Sequence, residues 1–207
     1  MMQLNDIVNR ALLNLGSALS IQDLSTDQSN QARIIRRFID QSLTAVLEKH
    51  PWHFATTSQA LPLLGEDLNA AWRFTYSLPV DCLVLRELAP NGRFSKYALL
   101  EQNKNQWEEE YSTGAAKINS NIPNAHGKYT VKMDYNNQFP DHFGRAFAAQ
   151  IAMDIAPALL SDKAGRVLDS LAVKLDDKIW MEVANDEGRA PQKLDVPNIY
   201  IQSRHSC

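Results

Sequence analysis

The chain has 207 residues, 44% of them hydrophobic, with a formal net charge of −3 and a pI of about 5.9. That length holds one large domain, or one domain with an insertion, around an ordinary globular core. The acidic balance argues against a nucleic-acid binder that works through a basic surface, because such binding requires neutralised phosphates. The two cysteines, Cys82 and Cys207, lie far apart in sequence, which predicts no disulfide framework and fits a reducing compartment. No apolar run approaches the roughly 20 residues that span a bilayer. The opening MMQLNDIVNRALLNLG lacks a basic region followed by an unbroken apolar stretch, so it does not read as a secretory signal. The expectation is a protein made and kept in the cytosol, or in something assembled there.

Leu4, Ile7, Val8, Ala11, Leu12 and Leu15 form a helical stripe that Gly16 closes. Residues 17–26 make a polar loop. The central stretch, Asp27 to Ala55, carries Ala32, Ile35, Ile39, Leu43, Val46 and Leu47 at three-and-four spacing. Ser25, Thr26 and Asp27 are available to cap it. Pro51 has no N–H and pushes His50 out of the helical region, so the helix stops there. Together these two helices predict a helical hairpin.

From Ala55 to about Asn136 the pattern becomes short and β-like. ATTSQALPLL reads as a first strand, and WRFTYSLP places Trp72, Phe74 and Tyr76 on one face. CLVLREL and RFSKYALL flank the tight-turn pair Asn91-Gly92. AAKINSN and KYTVKMDY flank a loop holding Pro123 and Gly127, a second hairpin. Residues 103–111 read as a short helix or an edge strand. Helical spacing returns at Phe139, with Phe143, Phe147, Ile151, Ile155 and Leu159 on one face and a run of alanines that thins the helix. A last long helix follows, with Val167, Leu168, Leu171, Leu175, Ile179 and Val183 as its stripe. The predicted class is α+β: a four-helix bundle from N- and C-terminal helix pairs, a β-rich insertion and an extended C-terminal tail. The corresponding units are 1–55 with 139–187, then 56–138, then 188–207.

Few residues point to chemistry. His50, His53 and Cys82 could be imagined as zinc ligands. Pro51 breaks their register, however, and no CxxC or HExxH is present, so helix-end roles are favoured and neither metal nor cofactor is expected. Surface roles are favoured for His126 and His142. Asp134, Asp141, Asp154, Asp176 and Asp177 read as solvated helix-face carboxylates rather than a glycosidase pair. There is no GxSxG elbow and no glycine-rich phosphate loop, so no catalytic residue is assigned. Arg33, Arg36 and Arg37 form a local basic spot, for which pairing with Asp40 and other acids is favoured over a phosphate. Trp52, Phe54, Trp72 and Tyr76 are expected where helices meet sheet. In the tail, NIYIQSR alternates in the manner of an extended segment that docks on a partner or packs on its own domain.

LNDIVNRALLNLGSALSIQDL, then SNQARIIRRFIDQSLTAVLEKHPWHFA, then WRFTYSLPVDCLVLREL, together resemble the head-to-tail adaptor proteins of tailed phages, of the tail tubular protein A type of short-tailed phages. FPDHFGRAFAAQIAMDIAPAL and the ANDEGRAP segment are similar to the same family. The resemblance covers most of the chain and its order of elements, and is weakest from about Leu88 to Asn136. It implies a non-enzymatic virion protein of the phage neck, assembled in the host cytoplasm. It also implies a dodecameric ring that joins the portal to a nozzle of the tail tubular protein B type, with DNA passing through the lumen unread. On that implication Ile199, Tyr200, Ile201 and Arg204 belong to a portal-binding arm. Two other readings remain open: a tail-associated enzyme such as a cell-wall hydrolase, and a non-viral binding module.

Overall fold

The computed structural model describes residues 1–67, 70–94, 107–112, 115–160 and 165–189. Among them are four helices, α1 (Leu4–Asn14), α2 (Asn30–Lys49), α3 (Asp141–Leu159) and α4 (Gly165–Glu187). Seven strands lie between α2 and α3: β1 (Thr56–Ala60), β2 (Leu63–Glu66), β3 (Phe74–Ser77), β4 (Cys82–Pro90), β5 (Trp107–Ser112), β6 (Ala115–Ser120) and β7 (Ala125–Val131). The expected arm with Ile199, Tyr200, Ile201 and Arg204 falls outside the described residues.

Helix ends follow the local chemistry. Gly16 closes α1 at φ +75°, a conformation that costs glycine little. The cap of α2 is Ser29 rather than the expected Ser25, Thr26 or Asp27, and its hydroxyl accepts from the Ala32 amide at 3.2 Å. Asp27 acts one step earlier, accepting from the Ser29 amide at 2.7 Å. His50 ends α2 in an extended conformation (φ −149°, ψ 145°), as a residue before proline must.

The four-helix bundle expected from the stripes is not the arrangement. A bundle helix buries one stripe against two neighbours. Helix α3 instead buries residues on every side: Phe143, Phe147, Ile151 and Ile155, and also Ala146, Ala148, Ala149 and Ala152. A helix apolar all round belongs in the interior. Helices α1, α2 and α4 accordingly pack on α3, and those three are the substantial helix–helix contacts. The expected α1–α2 hairpin is therefore replaced by two helices that each lie on α3. The N-terminus presses close as well. Met2 bridges Phe139 through reciprocal backbone bonds of 2.8 and 3.1 Å, and a Cβ on Gly144 would stand 2.8 Å from the Met2 sulfur.

The strands form two antiparallel sheets, ordered β1-β7-β4 and β2-β3-β6-β5. The stretch read as one strand, ATTSQALPLL, is two, broken at Leu61-Pro62, with one half in each sheet. The second expected hairpin is also replaced, because β6 joins β3 and β5 while β7 joins β1 and β4. Gly127 lies inside β7 rather than in a loop. A Cβ there would stand 3.0 Å from Leu85 and 3.2 Å from Leu61, so the bare backbone is what lets both leucines close over the strand. Asn91 and Gly92 do make a tight turn, both at positive φ, with Arg93 N–H donating to the Pro90 carbonyl at 3.1 Å. Residues 95–100, expected to continue that hairpin, lie outside the described residues. Residues 107–112 are the edge strand β5.

Two cores result. One gathers the helices with Trp52 and Phe139, and the other is smaller, built from Leu61, Phe74, Tyr76, Leu85, Leu88, Ile118 and Tyr129. Arg86 joins them, donating from β4 to the Leu47 and Glu48 carbonyls at the end of α2, both at 2.9 Å.

Candidate functional site

The densest group of ionisable side chains lies where α2 stops. Pro51 turns the chain, Trp52 plunges into the helical core, and His53 opens a single 3-10 turn, His53–Ala55. The Trp52 indole donates back to the Val46 carbonyl at 2.8 Å, and its ring packs against His50, His142 and Phe143. Phe54 packs edge-on against Phe139 and Phe143. His142 stands in the first turn of α3 and Asp186 in the last turn of α4, so four segments meet at one carboxylate.

That carboxylate gathers four contacts. Asp186 Oδ2 lies 2.7 Å from His53 Nδ1, 3.2 Å from His50 Nε2 and 3.1 Å from the His53 backbone nitrogen; Oδ1 lies 2.8 Å from His142 Nε2. Three of the four contacts converge on Oδ2 and one reaches Oδ1, and an ionised carboxylate only accepts. The geometry therefore assigns the protons: Nε2–H on His50 and His142, Nδ1–H on His53. His142 Nδ1 is buried without a hydrogen-bond partner. Burial alone would push the Asp186 carboxyl up. Hydrogen bonds from His142 and from the His53 backbone and side chain, with the charge of His53, hold it below its ordinary value. One turn earlier, Glu182 shows the same balance, its burial outweighed by bonds from Arg145 and Asn185. Arg145 grips both Glu182 oxygens, a forked pair of the strong, directional kind.

Chemically this arrangement ties four segments of the chain to one carboxylate. The nitrogens stand at hydrogen-bond distances, and among the described residues no group of three His, Cys, Asp or Glu side chains is placed to hold a metal ion. Cys82 lies elsewhere, on β4. Its burial and the nearby charges of Glu109 and Asp81 push the thiol up to about 11, so at neutral pH it is a protonated, poor nucleophile.

Sequence reasoning favoured helix-end roles for His50 and His53 over a zinc site shared with Cys82, and expected His142 at the surface. The structure keeps the two histidines together, separates the cysteine and buries His142. It also reveals Asp186, which sequence reasoning did not single out. The signal was in the register of α4: Glu182 and Asp186 fall on the face of Leu175, Ile179 and Val183, and charges on a buried stripe demand partners. The aromatic set divides between the cores. Trp52 and Phe54 belong to the helical one and Tyr76 to the sheet one, where its hydroxyl donates to the Ile122 carbonyl at 2.7 Å. Trp72 is half-buried and donates to Glu108 at 2.8 Å. In the basic spot, Arg36 does not pair with Asp40; it donates to the Leu24 and Asp27 carbonyls and pins the loop before α2. Two of the carboxylates expected to be solvated bridge helices instead. Asp154 accepts from Ser42 at 2.6 Å and Asp176 from Lys49 at 2.6 Å.

A cleft of about 500 Å³ opens between the start of α1, the loop before α2 and residues 135–138. Several of its polar lining groups are already spent on the loop itself: Asn5 on Gln22 and Leu24, Asp23 on Ser25 and Thr26, Arg36 on the carbonyls named above.

The chain matches no protein-family model and no curated protein.

Proposed function

We propose that this chain is a structural virion protein: a head-to-tail adaptor that forms a dodecameric ring between the portal and the tail nozzle and continues the DNA channel. It works by contact, without turnover chemistry. The observation that carries the reading is the joint order of the motifs that resemble that family. Two features of the molecule support it. The outer side of α4 exposes Val173 (62%), Trp180 (52%) and Met181 (59%), large apolar side chains of the kind found where a partner docks. Trp180 is also held in place, its indole donating at 3.1 Å to Asp176, which Lys49 grips. A pre-positioned aromatic ring is a common anchor of protein contacts. The net charge of −3 suits a lumen that lets DNA pass without gripping it. Portal, nozzle and sister subunits are the partners, and the tail from 188 to 207 is assigned to the portal.

The test is to mix the purified chain with portal protein and image the product. Rings seated on portal are expected, and a mixture that stays two separate species overturns the reading. A chain ending at 187 should keep its fold and lose portal attachment; undiminished attachment removes the tail from the proposal.

A further inference from the structure

Residues 56–66 supply an outer strand to each sheet, β1 to one and β2 to the other. Exposed strand edges carry unpaired N–H and C=O groups and are normally blunted. Among the described residues the two sheets have four outer strands, and β4 carries Arg86 and Glu87, shifts register twice and ends on Pro90. Strand β5 carries Glu108, Glu109 and Glu110 in succession. Strand β2 follows Pro62, has a register break between Leu63 and Gly65, and ends on Glu66, which pairs with Arg73 at 2.7 Å. Strand β1, Thr-Thr-Ser-Gln-Ala, has no charge, no proline and no register break, and Thr57 to Ala60 are all exposed.

The ladder shows which backbone groups of β1 are free to pair. Ala60 stands opposite His126, and Leu61 N–H donates to the Ala125 carbonyl at 2.9 Å. In an antiparallel pair, directly opposed residues alternate between exchanging hydrogen bonds and not doing so. Thr57, Gln59 and Leu61 therefore turn their backbone groups toward β7, while Ser58 and Ala60 turn theirs outward. Donors and acceptors on alternate residues of one extended edge are complemented by another extended backbone and by few other ligands.

We propose that β1 is a strand-addition site, taking one extended segment of a second polypeptide antiparallel to Thr56–Ala60. Recognition is through the main chain. Ser58 and Ala60 are short, so they admit neighbours of varied size at the two bonded positions. This inference stands apart from the adaptor reading and is tested without portal.

The probe is a synthetic peptide with the sequence of residues 125–131, the segment that already pairs with the inner side of β1. At millimolar peptide, amide exchange at Ser58 and Ala60 is expected to slow roughly tenfold, while Thr57 and Gln59, already in the ladder, change little. Ser58→Pro deletes an outward N–H without touching a bond to β7, so it should abolish the protection at Ala60 and leave Thr57 and Gln59 protected. Ser58→Lys keeps the N–H but adds a charge to the edge, and should weaken binding several-fold. Unchanged exchange at Ser58 and Ala60 in the wild-type protein overturns the proposal. So does equal protection of Ala60 in Ser58→Pro.

Discussion

The helical body and the sheet region solve the same problem by different means. The body wraps three helices around α3, so its interior is deep enough to hold charge, and it ties a carboxylate to three imidazoles there. The sheet region has short strands and a small core of its own, and leaves edges in solvent. Buried polar groups need every partner supplied by the protein, whereas an edge can leave that task to water or to another chain. The body should therefore answer sharply to single substitutions, and the sheet region mildly.

The largest effect should come from Trp52→Ala. It empties a fully buried ring site and leaves the Val46 carbonyl unpaired, and should cost about 3–5 kcal/mol in urea unfolding. Next is Asp186→Ala, which strands the imidazole donors and one amide and should cost about 3 kcal/mol. A loss below about 1 kcal/mol would mean that the histidines find other acceptors and that the tie is incidental.

Acid should expose the same contrast. Asp186 and Glu182 sit below their ordinary values of 3.8 and 4.5 when folded, so their contribution is complete above those values. It is lost as pH falls through the lower folded values. A stability profile from pH 6 to pH 2 should fall steeply in the wild type and more shallowly in Asp186→Asn. Parallel curves would remove Asp186 from the account.

In the sheet region, Tyr76→Phe removes one hydrogen bond to the Ile122 carbonyl and should cost about 1 kcal/mol. Arg73→Ala breaks an exposed pair with Glu66 and should change stability by about 0.5 kcal/mol or less. If Tyr76→Phe proves as costly as Asp186→Ala, the two regions are not energetically distinct.

Much of the local structure was legible from residues alone. The stop at His50-Pro51, the glycine closing α1, the Asn91-Gly92 turn and the stripes of α1 and α2 all follow from steric and periodic rules acting within a few residues. Partner choice was not legible. Gly127 looks like a turn residue until Leu61 and Leu85 are seen closing over it. His142 looks like a surface residue until Asp186, 44 positions later, is brought to its ring.

By itself the sequence determined where α1 and α2 stop, which face of each is apolar, and that the middle of the chain is β-structure, because those properties depend on neighbours in the chain. Only the tertiary structure decided that α3 is the centre, that β6 and β7 part into different sheets, and that three histidines share one aspartate. Each of those outcomes turns on which surfaces compete to bury against which, and that competition is settled by the whole chain at once.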